Sequence, residues 1–186
     1  MENKTGAGKV IIRILVPVIA VLLIVLWDYL VKQWALNTLD YSTYKPVIGN
    51  LIGFVLVKNE GMAWGMFQGK QWLFIIMTPI AIGVISYLYA KMPFDKKYIP
   101  VRIAETMLMG GAVGNLVDRI FRGELFRGNV IDMIYVKCIN FPVFNVADCF
   151  VSVGFAALII MLLFVYKDEE FEKIISIKLF KKKEDE

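Results

Sequence analysis

The chain has 186 residues, of which 58% are hydrophobic and 20% are charged, and its net charge is +4. The absence of histidine excludes imidazole metal ligands and any nucleophile or general base that depends on histidine. The two cysteines, Cys138 and Cys149, are too few for a zinc site of four thiolates; a disulfide is possible, but we expect two buried free thiols. The mean hydropathy of +0.62 indicates membrane segments rather than one large soluble core.

Four stretches of the chain are long and apolar enough, or nearly so, to cross a bilayer as a helix of about 20 residues. We interpret the first as a retained helix rather than a signal peptide, because no small-residue cleavage site follows it. The third is the weakest, because it contains Arg102 and Glu105. The stretches cover about residues 10–34, 72–90, 99–117 and 145–166.

The distribution of lysine and arginine orients these spans. The two chain ends and the connection between the second and third spans contain 13 of the 21 lysines and arginines. The positive-inside rule therefore places both termini in the cytoplasm, and it explains the net charge better than nucleic-acid binding does. The predicted organisation is a cytoplasmic N-terminus, 1–9, a single four-helix membrane domain, 10–166, with outer segments at about 33–71 and 119–142, and a charged cytoplasmic tail, 167–186.

The first outer segment is predicted to form a short hairpin-like element that rests on the outer membrane surface. Residues 54–57 are β-prone, and residues 59–61, Asn-Glu-Gly, form a turn signal. Aromatic side chains in and beside this segment favour the headgroup level of the bilayer. They are Tyr41, Tyr44, Trp64 and Trp72.

Polar side chains converge on one depth of the predicted bundle, its outer boundary. Ionisable residues inside or at the ends of spans are functional candidates by default. The first and third helices end at this boundary, the fourth begins there, and the connection between the third and fourth lies beside it. The residues concerned are Asp28, Lys32, Asn115, Asp118, Arg119, Asp132, Asn145 and Asp148.

Each of these groups also has a purely structural interpretation. The aspartate and lysine of the first helix could form only an interfacial ion pair, because structural pairs are common. Asp118 and Arg119 could simply end and anchor the third helix. Asn145 and Asp148 could be only the N-terminal cap of the fourth helix. The convergence of all these groups at one depth is the stronger indication of a site.

Two neighbouring carboxyl groups at such a boundary can catalyse hydrolysis. They cannot both ionise easily in a low-dielectric environment, so one keeps a proton while the other is charged. The charged group can activate water as a base, and the protonated group can assist the leaving amine as an acid. The residues alone leave two candidates, Asp118 and Asp132, for the partner of Asp148.

Three other functions fit the pattern less well. A transporter or channel usually has its charges near mid-bilayer, where only Glu105 and Arg13 are candidates here. A binding protein or chaperone for lipidated precursors would not depend on either aspartate of a dyad. A lipid-modifying transferase would need an acidic metal cluster or a nucleophile, and neither is evident in the sequence.

Small residues at four-residue spacing predict close helix packing. Gly110 and Gly114 form such a pair in the third span, and Ser152 and Ala156 form one in the fourth. We expect both pairs to be packing features.

Five sequence blocks, in matching order between about Trp27 and Gly154, resemble those of lipoprotein signal peptidase, the bacterial signal peptidase II family. Five ordered blocks in a four-span chain make the resemblance highly specific. The blocks are Asp28-x-x-x-Lys32, Asn59-Glu60-Gly61-Met62-Ala63-Trp64-Gly65, Gly110-Gly111-Ala112-Val113-Gly114-Asn115-Leu116-Val117-Asp118-Arg119, Val130-Ile131-Asp132-Met133 and Phe144-Asn145-Val146-Ala147-Asp148.

The resemblance implies an all-α membrane protein with four transmembrane helices and a small extracytoplasmic β-cradle. It implies an aspartyl endopeptidase of the bacterial cytoplasmic membrane that cuts prolipoproteins, at the outer face, just before a diacylglyceryl-modified cysteine. Asp132 and Asp148 would be the catalytic dyad of a monomer that contacts membrane lipid and needs no metal or organic cofactor. Supporting or substrate-binding roles would fall to Asp28, Lys32, Asn59, Gly61, Asn115, Asp118, Arg119, Asn145 and Ala147.

Three geometric expectations follow from this assignment. The connection from Arg119 to Asp132 is longer than is usual for the family, so we expect Asp132 on an extended loop with Gly123 or Gly128 at a turn. The adjacent Arg119 favours the ionised form of Asp118, which leaves Asp132 as the dyad carboxyl able to hold a proton. Finally, we expect a groove open to lipid between the first and fourth helices.

Overall fold

The computed structural model describes residues 3–61, 67, 69–93 and 95–166, with side chains from residue 11 onward. The predicted charged tail, 167–186, lies outside the described residues, as does Trp64 with the rest of the block 62–65. The described part of the chain is mostly helical and contains one three-stranded sheet.

Four long helices form the body of the fold. Within the described residues, three of them are long and apolar enough to cross a membrane, and these correspond to the first, second and fourth predicted spans. The other helix is 23 residues long but contains the charged residues Arg102 and Glu105. The helices are α1 (Asn3–Thr38), α2 (Gln71–Lys91), α3 (Ile99–Phe121) and α4 (Val146–Ile160), which a π-helical turn (Met161–Val165) continues.

The first helix is longer than predicted at both ends. α1 begins at Asn3 and ends at Thr38, so residues 35–38 continue the helix beyond the predicted span. Packing explains the extension, because the last turns of α1 bury apolar side chains against the sheet. The core that joins helix and sheet contains Ala35, Leu39, Leu56, Ile131 and Met133.

The predicted hairpin is present, but its turn lies elsewhere. The turn falls at residues 49–51, where the Leu51 N–H donates to the Ile48 carbonyl at 2.9 Å. The turn predicted at 59–61 is also present, because the Asn59 side chain accepts a hydrogen bond from the Gly61 N–H just after β2, but this turn does not close the hairpin. The antiparallel strands, in the order β1-β2-β3, are β1 (Lys45–Ile48), β2 (Ile52–Asn59) and β3 (Val130–Val136).

The third strand was not predicted, and it corrects the expected position of Asp132. Asp132 lies within β3, opposite Val57 of β2, rather than on an extended loop. The two glycines do shape the connection that precedes it. Gly123 has a φ of 122°, and a Cβ on Gly128 would lie only 2.2 Å from the Asp118 carbonyl oxygen. The chain therefore folds back tightly on α3 before it enters the sheet.

Both cysteines are free, as expected. Cys138 lies in a 3₁₀ turn (Lys137–Ile139) after β3 and is exposed, so the expectation of a buried thiol is wrong there. Cys149, in the first turns of α4, is half-buried. The exposure of Cys138 follows from its place in a surface turn instead of a helix.

Glycines allow α3 to approach its neighbours closely. A Cβ on Gly110 would lie 2.8 Å from the Ile24 side chain of α1. A Cβ on Gly111 would lie 2.4 Å from the Ala147 carbonyl oxygen of α4. Gly114 is equally constrained at the polar cluster described below. The predicted packing role of Gly110 and Gly114 is confirmed.

The small-residue pair predicted for α4 is wrong. Ser152 and Ala156 are both exposed. Gly154, which lies between them on another face, makes the close contact instead, since its Cβ position lies 2.8 Å from the Ala104 carbonyl oxygen of α3. The four-residue spacing was therefore found on the wrong side of the helix.

We expect the substitution Gly111→Ala to destabilise the fold by about 1–3 kcal/mol, because the new methyl group meets main chain that cannot move without shifting α4. Gly83→Ala in α2 is the matched control. No described atom lies within 4 Å of its Cβ position, so it should be neutral or slightly stabilising. Thermal unfolding of the purified variants measures both effects. Equal stability of the two variants would contradict the packing role of Gly111.

Two arginines inside the predicted spans hold the C-terminal end of α2. Arg13 of α1 donates to the Ala90 carbonyl and, at 2.6 Å, to the Met92 carbonyl. Arg102 of α3 donates to the same Met92 oxygen at 2.7 Å. Cations are favourable at a helix C-terminus. These charges therefore have a structural role at the end of the bundle opposite the sheet.

Candidate active site

The centre of the polar cluster is the buried ammonium group of Lys32. Its Nζ lies 2.6 Å from Asp28 Oδ2 and 2.8 Å from Asp118 Oδ2, and it donates to Asn115 Oδ1 at 3.1 Å. An ammonium group has three N–H donors, and these three acceptors match them. Lys32 therefore does more than form an ion pair with Asp28 within α1, because its other two partners join α1 to α3.

Asp28 extends this link to the start of α4. Its Oδ1 accepts a hydrogen bond from the Ala147 backbone N–H at 2.9 Å. Gly114 of α3 leaves room for the contact, since a Cβ there would lie 2.9 Å from Asp28 Oδ2. Ala147 is completely buried. Small residues at these two positions thus let three helices meet around one carboxylate.

Asp118 is paired with cations, but not with the one that its sequence suggested. Besides Lys32, its partner is Arg122, whose Nε lies 2.8 Å from Asp118 Oδ1. Arg119 instead donates to the Gly61 carbonyl at 3.2 Å and lies over the Phe74 ring, 4.6 Å from its centroid. The correction follows from helix geometry, because residues four apart share a face and adjacent residues do not.

Asp132 is almost completely buried, with 1% of its surface exposed, and both of its carboxyl oxygens accept hydrogen bonds from amide groups. Asn145 Nδ2 donates to Oδ1 at 2.6 Å, and Asn59 Nδ2 donates to Oδ2 at 2.8 Å. The sheet provides this arrangement, because Asn59 is opposite Val130 and therefore a near neighbour of Asp132 across the ladder.

Asp148 belongs both to a helix cap and to the cluster. Asn145 and Asp148 form a reciprocal capping box at the start of α4. The Asp148 backbone N–H donates to Asn145 Oδ1 at 2.9 Å, and the Asn145 backbone N–H donates to Asp148 Oδ2 at 3.1 Å. Asn115 Nδ2 also donates to Asp148 Oδ1 at 2.7 Å. The structural interpretation of this pair is correct, and the cap itself places the carboxyl group in the site.

The environment of Asp132 raises its pKa to about 7. Burial is the main cause, and the negative charge of Asp148 is the second. The hydrogen bonds from Asn59 and Asn145 act in the opposite direction. In the described part of the chain, no three carboxyl or thiol groups are arranged so that they could hold a metal ion. The arrangement offers a carboxyl group that keeps its proton near neutral pH beside a second aspartate.

The structure brings every predicted site residue into this cluster, with Gly61 and Ala147 contributing main-chain groups. Sequence reasoning missed Arg122, although the four-residue spacing from Asp118 is a signal that could have found it. It also missed Phe74, for which the sequence holds no comparable signal. The predicted residues that contribute side chains to the cluster are Asp28, Lys32, Asn59, Asn115, Asp118, Arg119, Asp132, Asn145 and Asp148.

Apolar cavities border α1 on sides other than the one expected. One of about 550 Å³ lies between α1, α2 and α3, and another of about 330 Å³ lies along α1 and α3. Between α1 and α4, the rings of Trp27 and Phe150 are in edge-to-face contact, with centroids 5.7 Å apart. The described cavities thus lie beside α2 and α3, and the groove expected between the first and fourth helices stays a prediction.

Sequence comparisons identify relatives over most of the chain. The model of the family described as signal peptidase (SPase) II matches residues 19–164, which include all five sequence blocks. A lipoprotein signal peptidase of Latilactobacillus sakei is 41% identical over 150 residues, which cover 80% of this chain and 94% of the relative. One of Lactococcus lactis is 36% identical over 137 residues, which cover 73% of this chain and 85% of the relative.

Solved structures share the fold as well. One described as a bacterial membrane enzyme has a TM-score of 0.70 and 28% identity, and covers 81% of this chain and 88% of its own. A second with the same description has a TM-score of 0.68 and 27% identity, and covers 82% of this chain and 96% of its own. The sequence resemblance and the fold therefore agree.

Proposed function

This chain belongs to the signal peptidase II family of bacterial membrane proteases that cleave lipoprotein signal peptides, and we propose that it is an aspartic endopeptidase with Asp132 and Asp148 as its dyad. The observation that carries the proposal is the position of Asn145. Its Nδ2 donates to Asp132 at 2.6 Å, and its Oδ1 accepts from the Asp148 backbone N–H at 2.9 Å. One buried side chain thus holds the two aspartates as neighbours.

The proposed reaction is hydrolysis by water without a covalent intermediate. The charged carboxylate takes a proton from water as the water oxygen bonds to the scissile carbonyl carbon, and the protonated carboxyl gives its proton to the carbonyl oxygen. When the tetrahedral intermediate collapses, the C–N bond breaks and the amine nitrogen receives the proton that the first carboxylate took from water. The carboxyl group that gave its proton to the carbonyl oxygen recovers a proton from a hydroxyl of the intermediate. Both members of the dyad thus return to their starting states.

The surroundings of the two carboxyl groups support different starting roles. The pKa of about 7 favours Asp132 as the protonated partner. Asp148 accepts hydrogen bonds from the amide nitrogen of Asn115 and from the backbone N–H of Asn145, which fix the position of its carboxyl group. Lys32 donates to the oxygen of Asn115 and so turns its amide nitrogen towards Asp148. We therefore assign the base to Asp148, with Lys32 and Asn115 as positioning residues.

We also propose that α3 is the fourth membrane span. Its charged residues Arg102 and Glu105 are buried in the protein and do not face lipid, which is how charged residues inside spans are tolerated. Under this proposal, 10–166 is one membrane domain and both termini lie on the same side of the membrane. The positive-inside rule supports the cytoplasm as that side and the outer face as the side of the sheet and the dyad. The cluster is completed by contacts within one chain, which supports a monomer.

The level of the dyad suits a lipid-anchored substrate. The sheet and the ends of α1, α3 and α4 form the site, so it would lie at the headgroup boundary without exposing irregular backbone to hydrocarbon. A diacylglyceryl group on cysteine would hold the scissile bond at this level while the signal peptide remains in the bilayer. The proposed substrate is therefore a prolipoprotein that is cut just before its diacylglyceryl-modified cysteine, with Arg119 and Asn59 lining the substrate side.

The test compares two forms of one prolipoprotein, with and without the diacylglyceryl group, as substrates of the purified chain. We expect cleavage of the modified form only, with the lipidated cysteine as the new N-terminus. Equal cleavage of the unmodified form would contradict the role of the lipid. Cleavage of neither form, while the Latilactobacillus sakei relative cleaves the modified form in parallel, would contradict the peptidase assignment.

We expect peptidase activity to fall as the pH rises through about 7, because Asp132 then loses the proton that the reaction needs. Since this pKa is raised above its ordinary value, the same deprotonation also lowers stability as the pH rises. Thermal unfolding at each pH separates the two effects. Asn59→Ala removes a hydrogen bond that favours the charged form of Asp132, so the fall in peptidase activity should move to higher pH. Activity that keeps rising beyond about pH 7 would contradict the assignment.

A further inference from the structure

The connection between α3 and β3 is a defined loop that the proposed reaction does not use. Main-chain hydrogen bonds close it, from the Phe126 N–H to the Ile120 carbonyl at 3.1 Å and from the Gly128 N–H to the Arg119 carbonyl at 2.9 Å. The tight approach at Gly128 fixes its base against α3. We call residues 121–129 the outer loop.

A cavity of about 470 Å³ lies between the outer loop and the outer end of α1. Its other walls are formed by Leu36 of α1, Lys58 of β2, Ile131 of β3 and Tyr41, whose ring centroid lies 5.0 Å from Lys58 Nζ. Successive side chains of a strand point to opposite faces, so Asp132 faces away from this cavity. The cavity is therefore separate from the dyad and lies behind β3.

The charged groups of the cavity favour an anion. Its walls contain the cationic side chains of Lys58, Arg122 and Arg127, against one carboxylate, that of Glu124. Arg127 Nη1 lies 3.5 Å from Glu124 Oε2, and the two side chains are 79% and 81% exposed. An ion pair that is so exposed contributes little binding energy. Arg122 contacts Asp118 through Nε, but a guanidinium group has five N–H donors. Such guanidinium groups match the geometry of a phosphate.

Exposed apolar side chains lie on or next to the loop that borders this basic cavity. Phe121, Leu125 and Phe126 are 69%, 63% and 51% exposed. The backbone of Phe126 has a φ of 64°, a conformation uncommon for a residue with a side chain, and it is held within the closed loop. Exposed apolar residues interleaved with cations are typical of segments that lie in a membrane interface.

We propose that this cavity binds the phosphate of an anionic phospholipid from the outer leaflet, with the apolar side chains of the outer loop among its acyl chains. The inference rests on the membrane placement proposed above, which puts the end of α1 at headgroup level. A lipid headgroup is favoured over free phosphate, because Phe121, Leu125 and Phe126 gain burial only beside acyl chains.

The test titrates the purified full chain in neutral detergent with phosphatidylglycerol and counts bound lipid by native mass spectrometry. The double variant Lys58→Gln/Arg127→Gln is expected to bind roughly tenfold to thirtyfold more weakly. The matched control is Lys45→Gln/Lys137→Gln, which removes the same charge from the sheet region outside the cavity and should bind as the wild type does. Equal weakening in both variants would overturn the site.

Two further arms identify the ligand. Phosphatidylcholine should bind more weakly than phosphatidylglycerol, and inorganic phosphate should not displace the bound lipid. Leu125→Ser/Phe126→Ser should weaken lipid binding, and unchanged binding would overturn the role of the loop. Displacement by inorganic phosphate would overturn the lipid assignment. Because these measurements follow binding, loss of the lipid site with intact prolipoprotein cleavage would leave the proposed peptidase function standing.

Discussion

Replacing either Asp132 or Asp148 with asparagine is expected to lower prolipoprotein cleavage by at least about 1,000-fold. The proposed reaction needs one carboxylate to take a proton from water and one carboxyl group to give a proton to the substrate. Asparagine has nearly the same shape but can do neither at neutral pH. The two losses should not add in the double variant, because the dyad acts as a unit. Single-turnover cleavage of a diacylglyceryl-modified prolipoprotein measures them.

Two controls separate lost chemistry from lost folding. Both oxygens of Asp132 accept bonds from Asn145 and Asn59, so an asparagine there leaves two donors facing each other and lowers stability as well. Gly111→Ala is destabilised but keeps the dyad, and should stay active in its folded fraction. Asp40→Asn makes the same chemical change at an exposed site and should be silent. A variant of either dyad residue with activity close to that of Asp40→Asn would refute its role.

Lys32→Met is expected to destabilise the protein by about 3–5 kcal/mol. Methionine fills much of the same space, so the loss would come from charge rather than from a cavity. Without the ammonium group, the carboxylates of Asp28 and Asp118 are left buried close to each other, and Asn115 loses a donor. Chemical or thermal unfolding of the purified variant in detergent measures the change.

The matched control is Lys45→Met, which removes a lysine from a largely exposed pair with Asp40 at 3.8 Å. That pair should contribute less than about 1 kcal/mol. Adding Asp28→Asn to Lys32→Met should restore part of the lost stability, because one of the two buried carboxylates that lost the ammonium group is then neutralised. If Lys32→Met unfolds no more easily than Lys45→Met, Lys32 does not hold the helices together as described.

Much of the fold and site could be predicted because the signals are local. Apolar length alone marks α1, α2 and α4, since a bilayer sets a minimum number of residues. The ends of α1 and α3 and the start of α4 meet at one end of the bundle, so the polar residues there could be grouped from the order of the helices alone. Four-residue spacing on one helix correctly paired Asp28 with Lys32.

The remaining features depend on contacts between distant parts of the chain. β3 pairs with a strand more than 70 residues earlier (Val130 is opposite Asn59), and nothing within residues 130–136 specifies that partner. The position of Asp132 was therefore misjudged. The cation predicted beside Asp118 is also wrong, because the helical face, and not adjacency in sequence, determines the partner and places Arg122 there.

The most direct test of the dyad is a structure of the protein bound to a lipidated peptide in which a hydroxyl-bearing carbon replaces the scissile carbonyl. Such a group resembles the tetrahedral intermediate and binds where the attacking water would lie. We predict a hydroxyl oxygen within about 2.5–3.0 Å of a carboxyl oxygen of both Asp132 and Asp148. A hydroxyl that contacts Asp148 and Asp118 instead, or that contacts neither member of the proposed dyad, would contradict the mechanism.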